Sequence, residues 1–231
     1  MKILVLGDIH GRDIWKTILN KEDPKKVIFV GDYLDSFDVE QVKQVSNFKD
    51  IVAYKRSDPD NVTLLLGNHD YHYIESVREK YGGYSSLVGL FVEHALRSLI
   101  NDQMIQICCK VEGYVISHAG IGAHWLDNVG LDDEDEDKII DNINEALYTN
   151  LDIFRFRKGK NGSNTGNDTT QGPLWIRPPS LGVSARFKNQ IVGHTEVSRI
   201  NTMNNYVLID TLGTSQEYII LEDGKIKVGR V

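Results

Sequence analysis

The chain has 231 residues, 41% hydrophobic and 26% charged, with a formal net charge of −7. That length and apolar content can bury a sizeable core without disulfides or structural metals. The acidic balance argues against strong general nucleic-acid affinity, which needs a basic face. Its two cysteines, Cys108 and Cys109, are adjacent and in a strand would point to opposite faces, so a reduced, cytoplasmic compartment is expected. The apolar run Ile3 to Leu6 is too short for a signal peptide or a membrane span, and no membrane partner is expected.

In chain order, residues 2–6, 26–30 and 62–66 are short apolar runs, each followed by a glycine (Gly7, Gly31, Gly67). They read as buried strands. Helical segments are predicted over 12–20 and 39–56 between them, so the start of the chain forms βαβ units around a largely parallel inner sheet. Further helices are predicted over 71–80, 85–100 and 136–150. Further strands are predicted over 104–109, 113–117, 190–192, 206–210 and 216–221, as a later, more antiparallel part. The acidic run Asp132 to Asp137 reads as a solvated loop. Residues 158–172 contain no large apolar side chain and are predicted to be a long loop that leads into Leu174 to Arg177 and could gate a cleft. No boundary between independent domains is visible, so one α/β domain over 1–231 is expected.

Each of the first three strands runs into a polar cluster: Gly7-Asp8-Ile9-His10-Gly11, Gly31-Asp32-Tyr33-Leu34-Asp35 and Gly67-Asn68-His69-Asp70. Carboxyl ends of parallel strands lie along one edge of an open α/β sheet, so these clusters should meet in one crevice. Two more follow apolar runs, Ser117-His118-Ala119-Gly120 and Gly193-His194-Thr195. A mixture of carboxylate, imidazole and amide oxygen suits Mn, Fe, Zn or similar ions. A carboxylate can bridge two such cations, which can activate a hydroxide and clamp a phosphate for in-line attack. A histidine that is not a ligand could protonate the leaving group. Taken singly, each cluster could be no more than a turn or a helix cap; their fixed order at successive strand ends argues for a shared site.

This pattern resembles the calcineurin-like metallophosphoesterases, within the branch of Ser/Thr protein phosphatases, diadenosine tetraphosphatases and small lambda-type phage and bacterial phosphatases. Leu174-Trp175-Ile176-Arg177, Gly193-His194-Thr195 and Tyr206 to Gly213 extend the likeness toward the C-terminus. The resemblance implies a metallophosphoesterase-type β-sandwich flanked by helices, with a dinuclear metal site at the strand C-terminal ends. It implies that Asp8 and His10 hold the first metal, that Asp32 bridges both, and that Asn68, His118 and His194 hold the second. His69 would be the general acid, Asp35 would orient it, and Arg177 would bind phosphate. The cofactors would be two divalent ions, Mn2+ foremost, with Fe, Zn, Ni or Mg as alternatives.

Two departures leave the substrate open. Ser36 and Phe37 stand where protein phosphatases of this branch carry Arg-Gly. The fourth cluster reads His118-Ala119-Gly120, closer to the dinucleotide tetraphosphatases. The expected activity is hydrolysis of phosphate monoesters, on phosphoprotein or a small phosphorylated molecule, by attack of a metal-bridging hydroxide. The alternatives are a dinucleoside polyphosphate or phosphodiester hydrolase, acting on cyclic nucleotides or nucleic-acid ends, and a catalytically inactive binding scaffold. Of the other histidines, His72 is expected on an exposed helix face, His94 as a structural residue and His124 in a loop. Nothing in the sequence selects Arg12, Arg186 or Arg199 as a substitute for the missing arginine, and oligomeric state is not readable.

Overall fold

The apolar runs pair into two sheets in the computed structural model, which describes residues 1–159 and 164–231. Strands β1 (Ile3–Leu6), β2 (Lys26–Phe29), β3 (Val62–Leu65) and β4 (Ile105–Gln106) run parallel to one another, in the first sheet, which has the order β11-β10-β1-β2-β3-β4. Strands β10 (Glu217–Glu222) and β11 (Lys225–Arg230) complete it in antiparallel pairing. The second sheet has the order β5-β6-β7-β9-β8, with β5 (Cys108–Val111), β6 (Tyr114–Ser117), β7 (Gln190–Glu196), β8 (Asn201–Thr202) and β9 (Tyr206–Asp210).

Alternation within each strand explains why the runs are continuously apolar: both faces are covered. In β1, Ile3 and Val5 pack with Ile116, Ile191 and Val207 in the layer between the two sheets. Leu4 and Leu6 point the other way, into a cluster with residues of the helices α1 (Ile14–Glu22), α2 (Gln41–Ser57), α4 (Ser86–Asn101) and α6 (Glu136–Thr149). The short helices α3 (Asn68–Tyr71), α5 (Ala123–Val129) and α7 (Ser180–Ser184) complete the set, and Leu181 of α7 packs with Ile176, Val192 and Leu208 on the second sheet. The result is a two-sheet sandwich flanked by helices.

Two expectations need correction. No helix spans 71–80: α3 ends at Tyr71, and the backbone then turns so that His72, Tyr73 and Ile74 are all buried. The Tyr81 N–H donates to His72 Nδ1 and the Lys80 ammonium to the His72 carbonyl, contacts that hold the turn in place of helical bonding. The 104–109 run is two strands in different sheets, because the Asn144 carboxamide oxygen takes the N–H groups of Ile107 and Cys108 and the chain crosses the sandwich there. The later strands are more antiparallel than the first three, as expected: β5 and β8 pair antiparallel with β6 and β9, and β10 pairs antiparallel with β1 and β11, although β6, β7 and β9 pair in parallel. The 158–172 stretch forms no helix or strand among its described residues, as expected of a loop, and much of it packs against the body of the protein. Residues 160–163 lie outside the described residues, but Gly166, Asp168, Gln171 and Gly172 are buried. The Gln171 carboxamide donates to the Arg157 carbonyl, the Arg177 N–H to the Gly166 carbonyl, and Gly172 lies against the Trp125 ring. Backbone polar groups and glycines, rather than apolar side chains, make this packing.

The acidic run is solvent-facing, as expected, and Asp135 caps α6 by accepting the Asp137 N–H. Its carboxylates also suit the positive end of that helix. Cys108 and Cys109 are both unpaired. Among the described residues, no helix is long and apolar enough to cross a membrane.

Candidate metal centre

Parallel pairing sets the geometry of the site. The C-terminal ends of β1, β2 and β3 deliver Asp8 and His10, Asp32 and Asp35, and Asn68 and His69; the ends of β6 and β9 deliver His118 and Asp210, and β7 carries His194. Two sheets thus contribute to one rim. Room for the carboxylates comes from glycine. A Cβ on Gly67 would lie 2.2 Å from Asp32 Oδ1, and one on Gly193 would lie 2.0 Å from Asp8 Oδ1. Strain concentrates in the same place. His10, Asp32, Asp35 and His194 all have positive φ, between 42° and 62°, a region that side chains avoid unless the surrounding structure imposes it.

The donor atoms converge. Asp8, His10 and Asp32 form one group whose ligand atoms lie within 4.8 Å of one another, and Asp32, His118 and His194 form a second. Asp32 belongs to both. Its Oδ2 is 3.8 Å from His10 Nε2 and 3.5 Å from His118 Nε2. Asn68 joins the second group, with Oδ1 2.8 Å from His118 Nε2. Each imidazole is turned by a backbone carbonyl on its far nitrogen: His10 Nδ1 on Leu34 O at 2.6 Å, His118 Nδ1 on Val30 O at 3.0 Å, His194 Nε2 on Trp175 O at 3.1 Å. If each far nitrogen donates to its carbonyl, the other ring nitrogen faces the carboxylates with its lone pair free.

The electrostatics agree with a cation-binding set. Burial lowers the pKa values of His10, His118 and His194, so these rings are held neutral. Burial, then Asp210 and Asp32, raises the Asp8 carboxyl well above the usual range. Burial also raises Asp210, with Asp32 and Glu196 adding to it, to about 7. Crowded carboxylates and neutral imidazoles at one buried rim fit divalent ions of the transition series.

His69 differs from the other rings. Its backbone N–H donates to Asp32 Oδ1 at 2.8 Å, while its ring Nδ1 pairs with Asp35 Oδ2 at 3.1 Å rather than with a carbonyl. Burial would lower its pKa, but Asp32 and then Asp35 outweigh that and raise it to about 9. Asp35 is opposed by burial too, yet polar contacts from His69, His72 and Tyr73 hold its pKa below the usual value. A cavity of about 280 Å³ opens over the rim and is lined by Asp8, His10, Asp32, Asp35, His69, His194 and Arg177, among others. Arg177 donates through Nη1 to the His194 carbonyl at 2.7 Å and to Thr195 Oγ1 at 3.2 Å, which fixes its guanidinium beside the cavity.

All nine residues singled out in the sequence therefore sit at this rim or line its cavity. The sequence reading of His72 is corrected: the residue is fully buried, and its Nε2 lies 2.7 Å from Asp35 Oδ2. Three further residues went unassigned. Asp70 accepts the N–H groups of Asp32, Tyr33 and Gly67 at 2.8, 2.9 and 2.9 Å and so joins two of the strand-end turns. Asp210 lines the cavity at the end of β9, the same strand-end position as the other clusters, and that position was a legible signal. Arg12 lines it two residues after His10. Arg186 pairs with Asp132 at 2.7 Å, away from the cavity. His94 and His124 are exposed, on α4 and α5.

The calcineurin-like phosphoesterase family matches residues 1–209. The chain belongs to that family. Membership of this metallophosphoesterase family agrees with the donor set at the rim. Among curated proteins, this phosphoesterase is similar to the Serine/threonine-protein phosphatase 4 catalytic subunit of Saccharomyces cerevisiae, 30% identical over 118 residues, which cover 49% of this chain and 33% of that protein. The same subunit from Eremothecium gossypii is 28% identical over 117 residues, with the same coverage. The match thus spans about a third of the length of these curated relatives. Among solved structures, a cold-active protein tyrosine phosphatase aligns with a TM-score of 0.63 at 19% identity, covering 98% of this chain and 78% of the other. A protein serine/threonine phosphatase from Saccharomyces cerevisiae aligns with a TM-score of 0.59 at 14% identity, covering 100% and 80%. At those identities the likeness is one of fold.

Proposed function

We propose that this phosphoesterase hydrolyses phosphate monoesters with the aid of two divalent cations, Mn2+ foremost. The observation that carries the reading is the pair of ligand groups sharing Asp32, beside a histidine tied to a carboxylate instead of a carbonyl. Asp8, His10 and Asp32 would hold one cation; Asp32, Asn68, His118 and His194 would hold the other. When bound, such a pair supplies positive charge for the phosphate and a water made acidic enough to attack near neutral pH.

The chain's own residues supply the rest. Asp35 orients His69 through Nδ1, and protonated His69 donates to the leaving oxygen. Arg177, pinned by the His194 carbonyl, presents its remaining donors to the phosphate oxygens. His69 retains exposure to the cavity, with 22% of its side chain accessible, as a donor to substrate requires. A purely binding scaffold needs neither that exposure nor the Asp35 pairing.

A second reading draws on a neighbouring cavity of about 520 Å³, which shares Arg177 and His194 with the first and is walled by Tyr81, Phe156 and Trp175. Aromatic walls suit a nucleobase, and so a dinucleoside polyphosphate. A panel with Mn2+ separates the readings: p-nitrophenyl phosphate, its bis-ester, a phosphopeptide and diadenosine tetraphosphate. The proposal expects the monoesters to have the highest kcat/KM. Preference for the bis-ester or the dinucleotide would overturn it.

A further inference from the structure

The sequence carries Ser36 and Phe37 where the resemblance would place Arg-Gly, and the structure shows what stands at the same cavity. Ser36 is spent on its own loop, where its hydroxyl accepts the N–H groups of Asp38 and Val39. Phe37 is almost fully exposed at the cavity mouth. The guanidinium of Arg12 lines the cavity together with that of Arg177.

Three observations mark the Arg12 guanidinium as available. Among the described residues it makes no hydrogen bond, and the carboxylate nearest to it is Asp38, 4.0 Å away and 87% exposed. A pair of that length and exposure is worth little. Second, no ion pair within 4.0 Å joins Arg12 or Arg177 to Asp8, Asp32 or Asp210 among the described residues, so neither arginine is consumed by the carboxylates at the rim. Third, Gly213 makes room for it. A Cβ on Gly213 would lie 2.7 Å from Arg12 Nη2, so the absence of a side chain there leaves room for the guanidinium at the cavity wall.

We propose that Arg12 is a second phosphate clamp, acting with Arg177, and that the two guanidiniums select a doubly charged monoester phosphate over a diester. The inference rests on the phosphoesterase reading above. A planar guanidinium can take two oxygens at once, which a lysine point charge cannot. A monoester offers three terminal oxygens and close to two negative charges; a diester offers two oxygens and one charge. Two forks, in addition to two cations, exceed what a diester can satisfy, and a site built with both leaves donors unpaired when a diester binds.

The test combines binding and turnover on the Mn2+-loaded protein, comparing wild type with R12A, R12K and G213A. Inorganic phosphate is the probe, measured by titration calorimetry. R12A is expected to weaken phosphate binding about 10-fold or more, as loss of a charge-assisted bidentate contact implies. R12K should restore only part of that. G213A, which displaces the guanidinium and changes no charge, should weaken binding in the same direction. Metal content should stay at the wild-type value throughout. The kcat/KM ratio of p-nitrophenyl phosphate to its bis-ester should fall in R12A. Wild-type phosphate affinity in R12A, equal losses on both esters, or loss of metal with affinity would each overturn the clamp. If the wild type hydrolyses neither ester yet binds phosphate through Arg12, the monoesterase reading fails and the clamp stands.

Discussion

Three side chains meet the Asp35 carboxylate: His69 Nδ1 at 3.1 Å, His72 Nε2 at 2.7 Å and the Tyr73 hydroxyl at 2.6 Å. The tautomer of His72 follows from its other nitrogen. Nδ1 accepts the Tyr81 N–H at 3.2 Å, so it carries a lone pair and the proton sits on Nε2, facing Asp35. The His72 contact is close but lacks hydrogen-bond alignment, so His72 acts on Asp35 as a buried polar neighbour rather than as a donor. His72→Phe should leave metal content unchanged while lowering kcat, and should cost about 1–3 kcal/mol of stability because the Tyr81 N–H loses its acceptor. Wild-type kcat in that variant would remove His72 from the network. For His69 itself, His69→Ala should retain both metals and lose ~10²–10⁴ in kcat. The loss should be smaller with p-nitrophenolate as the leaving group, which needs little proton donation; an equal loss on all substrates would point to another role. His72 was not legible as a partner of Asp35, because the two meet only through the tertiary fold. The residues at the strand ends were legible, since each followed an apolar run and a glycine or serine.

At the level of elements, strands covered on both faces could be read from continuous apolar runs, and long helices from their periodicity. What escaped was made by polar or backbone contacts. The hairpin from β10 to β11 turns at Asp223-Gly224, both with positive φ, yet β11 is largely exposed and lacked the apolar signature of a strand. The 164–172 segment escaped for a related reason: glycines and side-chain amides seat it against Trp125, Arg157 and Arg177. Composition alone predicted the loop but not its packing. Replacing 164–171 with a shorter Gly-Ser linker should lower Tm by about 2 °C or more, since it removes buried backbone partners worth at least about 1 kcal/mol. An unchanged melting temperature would show that the segment contributes nothing to the fold.

On the scale of the whole molecule, two sheets bring their parallel strand ends to one rim, and that rim gathers negative charge. The consequence is a pH dependence with a defined sign. Asp210 has its pKa raised to about 7 by burial and by Asp32 and Glu196, against about 4 in an unfolded chain. Its protonated form favours the fold, so its contribution is complete below about pH 4 and is lost as pH rises through about 7. Asp8 is shifted in the same sense. The buried imidazoles are lowered, so their contribution is present above about pH 6.5 and lost as pH falls. Near pH 8 Asp210 is ionised and the rings are neutral, the condition in which a cation offsets most repulsion. Mn2+ should therefore raise Tm more at pH 8 than at pH 5.5, and a pH-independent shift would contradict this.

Asp32 is the point on which the two-cation reading turns, because it alone belongs to both ligand groups. Metal content by elemental analysis, taken beside turnover of p-nitrophenyl phosphate on wild type and Asp32→Asn, tests it most directly. Two metals per wild-type chain are expected, with loss of at least one metal and nearly all activity in Asp32→Asn, whose amide cannot balance two dications. A fully active Asp32→Asn protein that retains two metals would contradict the site.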